Sequence, residues 1–451
     1  MRDVVLLLVL PFLVFAILRR PFIGLGLWIW TAMFLPNAWV YGIAGSIRYN
    51  LLFAGLTIAV YLVSKQKTQF QPGSVGVLVI LFFAWTTIST VFGIGVPDVT
   101  WEIWLRFAKI ILLFIFVLLI IDKKLHIDFF LWCLVLSIGF YAGLEGLKYI
   151  ASGGGHKIEG MVGHVLGDRN ELALAFAMML PICFYLLGEY GRNSRVVKLG
   201  LLCLITLLIT AIIGTNSRGG LVALSAVGGY LFIKSKRKVL FAVLAVGIGS
   251  AMVGLIPDQW YERMDSIGQA DADASFMGRV VAWKLSFILA AQHPLFGGGF
   301  KALENFAVWF SLSQDFYQYP FFYTGTAVPD PSRAHAAHSI YFQVLGDHGF
   351  VGLLIFVAIL AQSFLNAGSV ARKIREANGP VWLISLATMI RLSIFAYAVG
   401  GAALSFAYFD LVFALFAIVI VLEYKLLPAI LNGKNNPNKT PFQMATMPVM
   451  K

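Results

Sequence analysis

Residues 110–121, IILLFIFVLLII, form an unbroken apolar run that ends just before the basic pair Lys123-Lys124. Together with the mostly apolar residues before it, this run is long enough to cross a hydrocarbon core as a helix, which takes about 20 residues. Apolar runs of similar length recur along nearly the whole chain, and we count about twelve or thirteen of them. The sequence therefore predicts an all-α, polytopic integral membrane protein.

The composition supports the same fold class. Of the 451 residues, 59% are hydrophobic and 12% are charged, and the mean hydropathy is +0.84. Soluble domains have about 25% charged residues, so this chain needs membrane lipids as its solvent. The first apolar run, Val4 to Leu18, lacks a small-residue cleavage pattern and is predicted to be a retained span. The cysteines Cys133, Cys183 and Cys203 lie inside apolar runs without ligand-like spacing, which argues against a disulfide framework and against a zinc site.

Basic residues cluster at every second connection between apolar runs. The net charge of +12 comes mostly from these clusters, so we interpret them as topology signals and expect no nucleic-acid partner. The positive-inside rule makes these connections cytoplasmic, and the alternate connections then face outward. The rule leaves open the side on which Met1 lies. The basic clusters are Arg19-Arg20, Lys65 with Lys67, Lys123-Lys124, Arg192 to Lys198, Lys234 to Lys238, Arg372 to Arg375, and Lys425 onward.

One outward connection is much longer than the others, at roughly 80 residues, whereas most connections in compact domains are short. Within it, Phe276 to Gln292 has apolar residues at near-helical spacing, which predicts a helix lying in the membrane interface. The expected organisation is a helical body (1–255), the long outward loop with its interfacial helix (256–338), the C-terminal spans (339–427) and a cytoplasmic tail (428–451).

Cationic side chains from distant parts of the sequence fall on the predicted outward face. Arginine at the end of a span can form paired, charge-assisted hydrogen bonds to phosphate oxygens, so we expect a pyrophosphate as the ligand. Gly219 and Gly220, at the start of a span, could add backbone amides to such a site. For any single arginine the alternative is a headgroup anchor. The cations are Arg169, Arg218, Arg279, and Arg333 with His335 and His338.

His338 lies at the opening of a predicted span. Its imidazole, with an ordinary pKa of about 6.5, can accept a proton near neutral pH and so suits a general base. The alternative is a polar residue at a helix N-terminus that bonds a backbone carbonyl. The acidic residues of the outer loops are scattered without ligand-type spacing, so we expect no metal and no cofactor.

Two further polar features lie inside predicted spans. We expect His348, ten residues into its span, to be a buried hydrogen-bonding residue. Arg391 and Asp410 occupy the last two spans, where buried charges are costly. We interpret them as a structural ion pair, with a proton path as the alternative.

Four short patches resemble the bacterial O-antigen ligase and polymerase superfamily. They are Gly167-Asp168-Arg169-Asn170-Glu171, Ser217-Arg218-Gly219-Gly220, Gly278-Arg279 followed by His293-Pro294-Leu295-Phe296-Gly297, and His338-Ser339-Ile340-Tyr341. The resemblance implies a fold similar to polytopic GT-C-like glycosyltransferases. It also implies an inner-membrane location with the site facing the periplasm.

The resemblance further implies metal-independent, inverting transfer of a glycan from undecaprenyl pyrophosphate. Arg218, Arg279 and Arg169 would bind the pyrophosphate and His338 would activate the acceptor, with Arg333, His335 and Tyr341 supporting. Our leading hypothesis is an O-antigen ligase whose acceptor is a sugar hydroxyl of lipid A core.

Several alternatives stay open at this stage. A chain polymerase or a protein O-oligosaccharyltransferase would use the same donor. The opening Met1-Arg2-Asp3 and Arg20-Pro21-Phe22 also look like a branch described as O-glycosylation ligases. A non-catalytic transporter of lipid-linked glycan would instead need polar residues along a path through several spans, and often related halves. Here the candidate site cations lie at the predicted outward face rather than along such a path, and no repeat is evident.

Overall fold

The structure is a computed structural model that describes residues 2–65, 67–161, 163–235, 274–320, 327–330 and 332–434, with single positions at 238–239, 243, 246–247 and 324. These residues form helices and connecting loops, and no strand occurs among them. The first half contains α1 (Arg2–Arg19), α2 (Pro21–Met33), α3 (Gly42–Ser46), α4 (Tyr49–Val63), α5 (Gly73–Val91), α6 (Pro97–Ile120), α7 (Lys124–Ala151) and α8 (Arg169–Tyr190). The second half contains α9 (Arg195–Gly214), α10 (Arg218–Lys234), α11 (Ala274–Gln292), α12 (Phe306–Gln314), α13 (Ile340–Glu376), α14 (Val381–Gly400), α15 (Asp410–Val421) and α16 (Leu427–Lys434).

Within the described part of the chain, eight helical runs are long and apolar enough to cross a membrane: α5 to α9, α13, α14 with the short turn after it, and the run formed by α15 and α16. The apolar helices α2 and α4 are shorter. The predicted all-α polytopic fold is therefore confirmed. The predicted number of spans stays a prediction, because residues 248–273 lie outside the described residues.

Connections between the helices gather at two ends of the bundle. At one end Ile94 N donates to Gly298 O (2.9 Å), and His164 Nε2 lies 3.2 Å from Ala32 O. We call this the histidine end, because His338 lies there. At the other end, the basic end, Lys124 Nζ pairs with Glu189 Oε2 across 3.5 Å. Connections between helices thus lie at both ends of the bundle, and the side of the membrane that each end faces stays a prediction.

The centre of the bundle is α8, which packs against α7, α9, α10 and α14. Its residues 172–180 are almost wholly buried. The many alanines in this stretch allow close approach of neighbouring helices, as is usual where lipid supplies no hydrophobic drive for association. Ser393 of α14 donates to Met178 O of α8 across 2.8 Å. This core holds the N-termini of α8 and α10 at fixed positions at the histidine end.

The long helix α13 is interrupted at Gly349, whose φ of 69° and ψ of −170° lie in a region that only glycine adopts readily. The loop after α11 supplies the missing hydrogen bonds. Gly298 N donates to Gly346 O (2.9 Å), Gly299 N donates to Asp347 O (2.8 Å), and Phe350 N donates to Pro294 O (3.0 Å). The triplet Gly297-Gly298-Gly299 is therefore a partner of the broken helix.

Buried polar side chains surround the same interruption. The Asp347 carboxylate accepts hydrogen bonds from Lys301 N (3.0 Å) and Tyr408 OH (2.9 Å). The His348 ring is fully buried, and its Nδ1 lies 2.7 Å from Ser89 Oγ. The expectation of a buried, hydrogen-bonded His348 is thus confirmed. These contacts fix the first turns of α13, and with them the segment that carries His338.

One detail differs from the sequence-based expectations. Arg391 and Asp410 form no ion pair among the described residues; the Arg391 guanidinium lies 4.0 Å from the centroid of the Phe364 ring. That prediction was wrong because the face of the Phe364 ring, rather than the Asp410 carboxylate, lies beside the Arg391 guanidinium. Helix α16 ends at Lys434, and the division of the chain at residue 428 stays a prediction. The predicted helix at Phe276 to Gln292 is present as α11, and its interfacial position stays a prediction.

Replacing Gly349 by alanine is expected to destabilise the protein. A Cβ at this position would lie 2.6 Å from both Pro294 O and Leu295 O, and the backbone conformation is itself unfavourable for alanine. We expect Gly349→Ala to lower the free energy of unfolding by roughly 1–3 kcal/mol or more. Thermal unfolding in detergent measures this, with Gly143→Ala as the control, since a Cβ on Gly143 meets no atom within 4 Å. Equal melting temperatures for the two variants would contradict the account of the helix break.

Candidate functional site

The turn between α14 and α15 is the meeting point of the site. It begins with the 3₁₀ segment Gly401–Ala403, and we refer to residues 400–405 as the 400–405 turn. A Cβ on Gly401 would lie 2.7 Å from Ile340 Cδ1, so the turn packs against the start of α13. The same turn contacts the start of α10, a side chain of α11 and the backbone of His338. Three of the predicted site residues are thereby brought close to one short segment.

Arg218 is the first residue of α10, and its position follows from local capping. The Ser217 hydroxyl accepts a hydrogen bond from Gly220 N (3.1 Å), as an N-cap residue does. The Gly220 amide is therefore already used within the helix cap, contrary to the expectation that it is open to an anion. A Cβ on the next residue, Gly219, would lie 3.5 Å from both Gly400 O and Ala403 Cβ. The start of α10 thus abuts the 400–405 turn.

Arg279 reaches the same turn from α11. Its Nη1 donates to Ala403 O across 3.3 Å. Trp283 lies four residues later, on the same face of the helix, and its Nε1 donates to Ala337 O across 2.7 Å. The Trp283 ring stacks on Phe342 of α13, with 5.3 Å between centroids. One face of α11 therefore contacts both the turn and the segment that precedes α13.

His338 has an unusual backbone and an electropositive neighbour. Its φ is 47°, in the left-handed region that residues with a side chain rarely adopt. Its N–H donates to Ser405 Oγ across 2.7 Å. Desolvation by the surrounding protein and the Arg279 guanidinium lower the pKa of His338 below its ordinary value, with His335 acting in the same direction. The carboxylates of Asp168 and Glu304 act against this and raise the pKa.

Arg169 begins α8, where the sequence Asp-Arg-Asn-Glu forms a capping box. Asp168 Oδ1 accepts from Asn170 N (2.7 Å), and Glu171 Oε2 accepts from Asp168 N (3.2 Å). A Cβ on Gly220 would lie 2.5 Å from Ala173 Cβ, so the starts of α8 and α10 are adjacent. Arg169 and Arg218 are thus the first residues of two neighbouring helices at the histidine end.

The three supporting residues occupy different surroundings. Hydrogen bonds from Ser332 lower the pKa of the Asp330 carboxyl the most. His335 and Arg333 lie near the same carboxyl and lower its pKa further. His335 also packs edge-to-face on Trp309, with 5.6 Å between ring centroids. Tyr341 OH donates to Ala398 O across 2.8 Å and so ties α13 to α14. The Tyr341 hydroxyl therefore has a structural partner, whereas His335 lies close enough to act on His338.

Two residues at the site carry no signal in the sequence that reveals their contacts. The helical spacing around Trp283 predicts its helix but not its bond to Ala337, and Ser405 lies in an ordinary short connection. The capping pattern of Asp168 and Glu171, by contrast, is visible in the sequence. Across the described ranges, no group of three or more His, Cys, Asp or Glu side chains is arranged to hold a metal ion.

Comparison with protein families gives two matches, each to a separate part of the chain. Residues 201–357 match the model of a family described as O-antigen ligase. Residues 1–191 match a family of unknown function, DUF5935. A search of curated proteins found no match. The first match includes Arg218, Arg279 and His338, whereas Arg169 falls in the second and Ser405 lies beyond both.

Proposed function

We propose that this chain, a member of the O-antigen ligase family, transfers a glycan from undecaprenyl pyrophosphate to a sugar hydroxyl of lipid A core. The observation that carries the proposal is the meeting of the start of α10, the Arg279 guanidinium and the His338 backbone at the 400–405 turn. Cations that can bind a pyrophosphate and a base that can deprotonate a hydroxyl thus lie at one end of the helix bundle.

Arg218 and Arg279 bind the donor pyrophosphate in this proposal, with Arg169 as a third cation. A guanidinium can form two parallel hydrogen bonds to phosphate oxygens, and its charge persists at any physiological pH. Arg169 and Arg218 are the first residues of α8 and α10, where the helix dipoles also favour an anion. The chemistry of the cluster therefore favours a diphosphate over a neutral ligand.

His338 is the general base of the proposed step. The acceptor hydroxyl attacks the anomeric carbon while its proton passes to the neutral imidazole, and the bond from that carbon to the pyrophosphate oxygen breaks. Undecaprenyl pyrophosphate leaves with the bonding pair, and the arginines stabilise its charge. Attack from the face opposite the leaving group inverts the configuration. No metal takes part in this proposal, which makes activity in EDTA one of its tests.

We place the histidine end on the periplasmic side of the bacterial inner membrane. Lys124, from one of the basic connections, lies at the opposite end of the bundle, and positively charged connections are retained in the cytoplasm. This orientation gives the site access to a donor that has already crossed the membrane.

A transfer assay tests the function. Purified protein in nanodiscs is incubated with undecaprenyl pyrophosphate-linked glycan and lipid A core in EDTA, and the core is examined for a glycan-sized shift. We expect His338→Ala to lose about 10²–10⁴-fold in rate and Arg218→Ala about 10²–10³-fold. Arg106→Ala is the control, because this exposed arginine pairs with Glu102 (2.5 Å) on α6.

The other outcomes of this assay identify the alternatives. Longer glycan or modified protein, formed only when those acceptors are offered, would replace the ligase by a polymerase or a protein O-oligosaccharyltransferase. Bound donor without transfer to any acceptor would favour a non-catalytic transporter.

The pH dependence of transfer follows from the lowered pKa of His338. A base must be neutral, so kcat/KM should fall with decreasing pH only below the ordinary histidine pKa of about 6.5. In Arg279→Gln the lost positive charge lets the pKa rise, so the midpoint of this acid limb should move to higher pH, while Arg279→Lys keeps it low. His335, Asp168 and Glu304 are unchanged in both variants. An acid limb that does not move in Arg279→Gln would contradict His338 as the titrating base.

A further inference from the structure

The peptide unit that joins Ala337 to His338 is held at both of its polar atoms. Trp283 Nε1 of α11 donates to Ala337 O, and His338 N donates to Ser405 Oγ, each across 2.7 Å. Because the peptide group is planar, two bonds on opposite sides fix the orientation of the whole unit. The two partners come from elements that are far apart in sequence.

The residue that follows this peptide is strained. The φ of 47° at His338 is a conformation that costs a residue with a side chain on the order of 1–3 kcal/mol unless its surroundings hold it. On the other side of His338, α13 begins at once, and Gln343 N donates to Ser339 O across 2.8 Å. The direction of the His338 imidazole is thus fixed by the hydrogen-bonded peptide unit before it and the helix after it.

Ser405 is itself anchored on both sides. Arg279 Nη1 bonds Ala403 O, and Ala407 N donates to Gln343 Oε1 across 3.0 Å. The first bond comes from α11 and the second from α13. The Ser405 hydroxyl is therefore fixed relative to two helices. These are α11, which carries the proposed cation Arg279, and α13, which follows the proposed base His338.

We propose that Ser405 is a positioning residue for His338. Its hydroxyl accepts the His338 N–H and, with the Trp283 bond to Ala337 O, holds the left-handed backbone that directs the imidazole towards the acceptor. Ser405 acts through His338 and touches no reacting atom. The inference rests on the proposed role of His338 as base, and it adds a residue that lies outside the matched family segment.

Kinetics of Ser405→Ala and Ser405→Thr test the proposal. A base displaced by about 1 Å costs up to about 10²-fold in rate, so we expect kcat of Ser405→Ala to fall about 10–100-fold with the KM for the donor unchanged. Ser405→Thr keeps the hydroxyl and should restore most of kcat. The control Ser393→Ala removes a buried hydrogen bond to Met178 O and should act like the wild type. A wild-type kcat in Ser405→Ala, or an equal loss in Ser405→Thr, would overturn the proposal.

A double variant separates this proposal from the proposed function. In His338→Ala/Ser405→Ala the second change should cause no further loss, because Ser405 has no base left to position. Full activity in His338→Ala would reject the base itself, whereas an inactive His338→Ala beside a fully active Ser405→Ala would reject only the positioning role. If Ser405→Ala does not fold, Trp283→Phe removes the other hydrogen bond to this peptide unit, which runs from Trp283 Nε1 to Ala337 O. It should show the same fall in kcat at constant KM, and a wild-type kcat there would overturn the proposal.

Discussion

Buried backbone groups need hydrogen-bond partners, and the interruption of α13 shows how this protein meets that constraint. At Gly349 the helix cannot bond to itself, and the glycine-rich loop after α11 supplies the donors and acceptors instead. This exchange locks the long loop to the first turns of α13. The Asp347 carboxylate also accepts hydrogen bonds from Lys301 N and Tyr408 OH. The second bond joins the same region to the segment that follows the 400–405 turn.

The site is a consequence of that arrangement. With the start of α13 fixed, the segment before it can hold a strained His338, and the 400–405 turn can bond to it from the side. The same turn receives Arg279 from α11 and abuts the start of α10. A small number of hydrogen bonds therefore couples three elements, and the proposed chemistry depends on their keeping one relative position.

The sequence predicts much of this because membrane constraints are strong. Apolar runs indicate the helices, and Arg169, Arg218 and His338 stand at or beside predicted helix starts. The contacts made through tertiary packing are different. Neither the left-handed backbone of His338 nor its hydrogen bond to Ser405 has a local signal in the sequence. The Arg391 guanidinium packs on the Phe364 ring instead of pairing with Asp410. The hydrogen bonds that the Gly297-Gly298-Gly299 triplet makes to the broken helix likewise depend on tertiary packing.

In the proposed mechanism, a pyrophosphate binds where α10, α11 and the 400–405 turn meet. A cryo-EM structure of the His338→Ala variant in nanodiscs, with undecaprenyl pyrophosphate-linked glycan bound and turnover suppressed, tests this most directly. We expect pyrophosphate density in contact with the guanidinium groups of Arg218 and Arg279, with the anomeric carbon facing position 338. Pyrophosphate bound at a place that contacts neither arginine would contradict it.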